Sequence, residues 1–158
     1  MSVEDYYPLL AIYGAILSTI LAILEVGRFY IERQERKPKM EVQITYGLTK
    51  TGREVSEPLI NLTAANVGDR AISLTSPPSL LLPDGKKMIM ISAESSVIFP
   101  YDLLPGKSCM VWEENSKVAR GLNKEGYSGV IEIVGEFTDA IGNKYRSKSF
   151  KLNIDQWL

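Results

Sequence analysis

Seventeen consecutive residues, Pro8 to Leu24 (PLLAIYGAILSTILAIL), carry no charge, and only the hydroxyls of Ser18 and Thr19 interrupt their apolar character. At about 1.5 Å per residue a helix of that length covers roughly 25 Å, and adding Val26, Gly27 and Phe29 past Glu25 brings it to what a thin hydrocarbon core needs. Tyr6 and Tyr7 before the run, with Phe29 and Tyr30 after it, stand where interfacial aromatic belts form. A cleaved signal peptide would carry lysine or arginine ahead of the run and a small-x-small site behind it. Here Glu4 and Asp5 lead and Glu25-Val26-Gly27-Arg28 trails, so the reading is an uncleaved anchor. The expected organisation is a short extracytoplasmic tail (1–7), a transmembrane helix (8–30), a basic juxtamembrane linker (31–39) and a soluble domain (40–158).

Charge sets the expected orientation. No lysine or arginine precedes the span, whereas Arg28, Arg33, Arg36, Lys37 and Lys39 follow it. The positive-inside rule therefore puts the N-terminus outside and the C-terminal domain in the cytoplasm, at the cell (inner) membrane. Over residues 26–39 these five bases outweigh Glu32 and Glu35, a local excess that attracts anionic membrane lipids. Glu32 and Arg36 form a favourable i,i+4 pair, which predicts that the helix continues until Pro38 stops it.

Within the span Gly14, Ser18 and Ala22 recur every four residues, with Glu25 near the same line. Small side chains let helices approach closely, so this stripe is the candidate surface for a homo-oligomer. Glu25 either snorkels to the headgroups beside Arg28 or faces a helix bundle.

Chemistry is bounded by absences. The chain has no histidine, which excludes a Ser-His-Asp triad, a Cys-His pair and a histidine-bearing zinc site. The single cysteine, Cys109, permits no intrachain disulfide and reads as a small core residue. No catalytic residue, metal site or cofactor is expected, and the chain reads as a non-enzyme.

After Pro38 the apolar period becomes two. Met40, Val42, Ile44 and Tyr46 alternate with polar residues, as do Ile60, Leu62 and Ala64 up to the turn Asn66-Val67-Gly68-Asp69. In that alternating context the sequon Asn61-Leu62-Thr63 reads as a strand position. Further strands are predicted at 72–74, 80–82, 87–91, 96–99, 107–112, 130–138 and 144–154, with a short helix over 113–122. Asp84-Gly85 is a hairpin-turn signal. The expected fold is mainly β: an antiparallel immunoglobulin-like sandwich of about seven to eight strands behind one transmembrane helix.

Three features carry a resemblance: the Asn66-Val67-Gly68 turn, Leu104-Pro105-Gly106 before a strand, and the hairpin from Asp139 to Tyr145 followed by Phe150-Lys151-Leu152. In these the chain resembles a loosely defined, mostly uncharacterised group of short prokaryotic proteins with one N-terminal span and a C-terminal immunoglobulin-like domain. The resemblance transfers no catalytic residue.

Lys144, Arg146 and Lys148 alternate on one strand face and, with Lys151, form the densest basic patch of the soluble part. Such a stripe suits a nucleotide, another phosphate-bearing ligand or an acidic partner, or else protects a strand edge. Because Phe150, Leu152 and Ile154 share its parity, the inward face must change between Ser147 and Ser149, and a β-bulge would change it. Trp112, Trp157 and the segment around Pro100-Tyr101 offer aromatic surface, with core packing expected for Trp112. Two functions follow: a membrane-tethered interaction module that offers an edge strand or loop to a protein partner, or an oligomeric membrane effector whose cytosolic domain senses a phosphate-bearing ligand and acts through the helix bundle.

Overall fold

The computed structural model describes residues 6–35, 38–48, 50–51, 54–55 and 58–158. The chain divides into two compact units, Met1–Lys37 and Pro38–Leu158.

The first unit holds one helix, α1 (Tyr6–Glu35), whose 30 residues span about 45 Å. Within it Ile12–Tyr30, 19 residues with a mean hydropathy of 1.6, is long and apolar enough to cross a membrane. The hydroxyls of Ser18 and Thr19 are satisfied inside the helix. Ser18 Oγ donates to the Gly14 carbonyl at 2.6 Å and Thr19 Oγ1 to that of Ala15 at 2.8 Å, which lowers the cost of placing them in hydrocarbon. Arg36 and Lys37, expected on the membrane surface, lie outside the described residues, as do residues 1–5 of the expected tail.

The second unit is mainly β, with every pairing antiparallel. Its first half contains β1 (Met40–Gly47), β2 (Lys50–Thr51), β3 (Glu54–Val55), β4 (Leu59–Asn66), β5 (Ile72–Leu74), β6 (Ser79–Leu81) and β7 (Lys87–Ile89). Then come β8 (Glu94–Ser95), β9 (Tyr101–Leu103), β10 (Ser108–Glu114), α2 (Asn115–Lys124), β11 (Val130–Thr138), β12 (Lys144–Arg146), β13 (Phe150–Asn153) and a 3-10 turn at Asp155–Trp157. One sheet runs β1-β4-β10-β8. The other runs β12-β11-β6-β7, with β13 also paired to β11, and β2-β3 and β5-β9 are two-stranded ribbons.

The two main sheets share a core. Val42, Ile60, Leu62, Ala64 and Val111 enter it from the first, and Leu80, Ile133, Phe137 and Leu152 from the second. The sheets come close at Gly135, where an added Cβ would stand 2.8 Å from Leu62 Cδ2 and 3.1 Å from Ile44 Cγ1. Only glycine fits between those side chains without displacing them.

The Asp84-Gly85 signal corresponds to the hairpin between β6 and β7, where Gly85 takes φ +85 and the Lys86 N–H donates to Asp84 Oδ1 at 3.0 Å. The predicted helix over 113–122 begins two residues later, because Glu113 and Glu114 still pair with Ile60 and Leu59 of β4. No strand forms over 96–99. There the Ser96 hydroxyl accepts the Met110 N–H at 2.9 Å and the Ser95 hydroxyl accepts that of Val97 at 3.2 Å, so side chains take backbone donors that a longer strand would use.

The face change in the last strand is a one-residue bulge. Arg146 pairs with Glu136 and Phe150 with Ile133, so Val134 and Gly135 stand opposite Ser147, Lys148 and Ser149. Ser147 binds Gly135 twice, its N–H donating to the carbonyl and its hydroxyl accepting the N–H, both at 2.9 Å. Tyr145 therefore faces inward before the bulge, and Phe150 and Leu152 do so after it.

Candidate functional site

The basic stripe does not stand alone. Lys144 and Arg146 lie on the outer face of the second sheet beside Thr138 and Glu136, while Lys151 pairs across from Glu132. Glu136 is buried on that face. It accepts Arg146 Nε at 2.8 Å and forms a second ion pair with Lys87 from β7. Burial pushes the Glu136 carboxyl up, but the hydrogen bonds from Lys87 and Arg146 outweigh it and hold the group below its ordinary value. Arg146 is thus committed to an internal carboxylate, and the stripe is a weaker phosphate site than its sequence reads. Lys148 sits on the bulge, and Lys144, Lys148 and Lys151 are exposed.

Arg146 and Lys148 also line a groove of about 610 Å³ between β1 and the β12–β13 edge, with Val42, Ile44 and Phe150 among its other walls. The groove lies between outer strands of the two sheets. Tyr46 packs on Phe150, its ring 4.8 Å from that of Phe150 and its hydroxyl 3.3 Å from the Lys151 carbonyl, to which it donates.

Of the other outer strands, β8 has two residues, so β7 is the longer open edge. The Leu82 N–H donates to the Lys86 carbonyl and the Met90 N–H to that of Pro78, both in register with the β6–β7 ladder. Antiparallel alternation then turns the N–H and C=O groups of Lys87 and Ile89 away from β6. Met88 faces inward, where its Sδ and Cε reach Gly121 of α2. Ile89 and Ile91 face solvent, 57% and 78% exposed. The sequence predicts a strand over 87–91 and assigns it no role. The signal was the alternation of two methionines with two isoleucines: burying the first pair exposes the second.

Trp112 departs from expectation. Cys109, Val111 and Glu113 point inward from β10, so Trp112 points outward, its Nε1 donating to Glu94 Oε2 at 3.0 Å. Glu113, buried, accepts the Ser92 hydroxyl at 3.1 Å and pairs with Lys117 Nζ at 3.6 Å. Cys109 is buried, as read from the sequence, and burial pushes its thiol up from the usual range. On α1 Gly14, Ser18, Ala22 and Glu25 are exposed, as are Arg28 and, in the second unit, Lys39. Arg33 lies on the last turns of α1. No group of three or more acidic or cysteine residues with metal-binding geometry occurs among the described residues.

No protein-family model and no curated protein matches the chain. Among solved structures, the X-ray structure of Northeast Structural Genomics Consortium target SoR45 is similar at a TM-score of 0.35 and 14% identity, over 75% of this chain and 88% of that one.

Proposed function

We propose that the protein is a single-pass, membrane-anchored, non-enzymatic interaction module that presents an immunoglobulin-like sandwich in the cytoplasm and takes an extended segment of a protein partner along β7. The sandwich reading is supported by strand order. Labelling β1, β4, β6, β7, β8, β10, β11 and β12–β13 in chain order as A, B, C, C′, D, E, F and G gives an A-B-E-D sheet opposite a G-F-C-C′ sheet. The cytoplasmic orientation rests on the five bases that follow the span. The observation that carries the function is the open β7 edge, with unpaired backbone groups at Lys87 and Ile89 beside two exposed isoleucines.

The reading is tested by selecting extended peptides from a random library on full-length protein in lipid nanodiscs. Bound peptides should slow hydrogen exchange at the Ile89 amide, and Ile89→Pro, which removes an N–H that β6 does not use, should abolish binding while leaving the melting temperature nearly unchanged. Failure to select any peptide, or selection of peptides that protect other strands and tolerate Ile89→Pro, overturns it. The phosphate-sensing effector has less support, because Arg146 is already engaged by Glu136. Self-association through Gly14, Ser18 and Ala22 is compatible with either reading, and Gly14→Leu should disrupt it in detergent.

A further inference from the structure

Three turns meet at the end of the β unit where the chain enters from α1. The Val67 N–H donates to the Lys39 carbonyl at 3.0 Å, the Gly106 N–H to that of Asn66 at 3.0 Å and the Ala140 N–H to that of Ser73 at 2.8 Å. Asn66, buried, ties the first two turns together, its Nδ2 donating to the carbonyls of Arg70 (2.7 Å) and Leu103 (2.8 Å). The third is the hairpin from Asp139 to Asn143.

Each turn presents an apolar side chain to solvent. Val67, Leu104 and Ile141 are all more than half exposed, Ile141 the most. Around them stand Lys39, Arg70, Lys107 and Lys144, all exposed. Against these cations the same turns expose Asp69 and Asp102, the latter accepting the Ser73 hydroxyl, while Asp139 is buried in its own hairpin. The surface is therefore net positive with apolar tips. Exposed apolar side chains at loop tips are costly in water unless something covers them, and a ring of bases around them matches an anionic bilayer surface, where tips enter the headgroup layer and cations meet phosphates.

We infer that this end of the β unit, with Val67, Leu104 and Ile141 at its tips, docks on anionic lipid. The inference rests on the reading of α1 as a membrane span, with three residues between Glu35 and Lys39 in the sequence.

The test uses full-length protein in nanodiscs, in a Cys109→Ala background, with a single environment-sensitive fluorophore attached at Leu104→Cys, Ile141→Cys, Ile16→Cys or Leu158→Cys, and lipids brominated near the glycerol backbone. In phosphatidylglycerol discs the probes at 104 and 141 should be blue-shifted and strongly quenched, and the one at 158 should not. In phosphatidylcholine discs, or after Arg70→Glu with Lys107→Glu, quenching at 104 and 141 should fall. If the probe at 16 is quenched while those at 104 and 141 are not, the helix spans and the docking inference is wrong. If the probe at 16 is also unquenched, the membrane reading fails and the inference fails with it. Equal quenching at 104 and 141 in both lipids would overturn the assignment to anionic headgroups.

Discussion

Glu136 and Arg146 stand directly opposite one another on β11 and β12, joined at 2.8 Å, and Lys87 reaches the same carboxylate from β7. The trio clamps the outer strands of the second sheet to its centre. Truncating one partner of a fully buried pair costs about 3–5 kcal/mol. The Arg146 side chain is 53% exposed, so water compensates for part of the loss, and Arg146→Ala should lower unfolding stability by about 1–2 kcal/mol in denaturant titrations.

The same carboxylate gives the domain an acid sensitivity. Its folded-state value lies below its unfolded value, so its contribution is present above the ordinary carboxylate range and is lost as pH falls through the lower folded value. The melting temperature should drop below about pH 4, and it should drop less steeply in Glu136→Gln, which has no charge to lose.

Asp139 holds the last hairpin through four hydrogen bonds. Its Oδ1 accepts the N–H groups of Ile141 (3.1 Å) and Asn143 (2.8 Å), and its Oδ2 accepts Asn143 Nδ2 (2.9 Å) and the Tyr145 hydroxyl (3.1 Å). Asp139→Ala leaves these donors without their acceptor and should cost about 2–3 kcal/mol. Tyr145→Phe removes one bond and should cost about 1 kcal/mol. Comparable losses for the two variants would show that the side-chain network does not hold the turn.

Gly135→Ala places a methyl group against Leu62 and Ile44 and should destabilise by about 1–3 kcal/mol, read from the thermal midpoint. A neutral result would mean that the two sheets can separate there at little cost.

Cys109 should resist alkylation in the native domain and react once it is unfolded. Its thiol is buried and shifted away from the reactive thiolate, so rapid labelling of native protein at neutral pH would contradict the β10 packing.

Period and turn chemistry carried much of the fold into the sequence. The alternation in β1 and β4, the Asp84-Gly85 hairpin and the parity conflict around Ser147 were each visible locally, because each depends on neighbours within a few residues. What was not visible depended on partners far along the chain. The cations at 144, 146 and 148 could be read from one strand, but Glu136 meets Arg146 only across a hairpin and Lys87 only across two further strands. Helix α2 begins two residues later than predicted because the ladder to Leu59 and Ile60 overrides the helical propensity of Glu113 and Glu114. Core packing is expected for Trp112, yet its position in the alternation of β10 decides its side. The open β7 edge follows from which strands lack a neighbour, a property of the whole sheet.

The bulge at Ser147–Ser149 makes the final strand count in two frames, with even numbers outside before it and inside after it. Losing one of these three residues would let the ladder close without interruption and leave Phe150 still opposite Ile133, whereas closing the ladder with all three kept would turn every later position over. Phe150, Leu152 and Ile154 would then be carried to the surface and Lys151 and Asn153 into the core. In a library of variants this short segment should tolerate the loss of one residue, whereas the same loss inside β13 should not be tolerated.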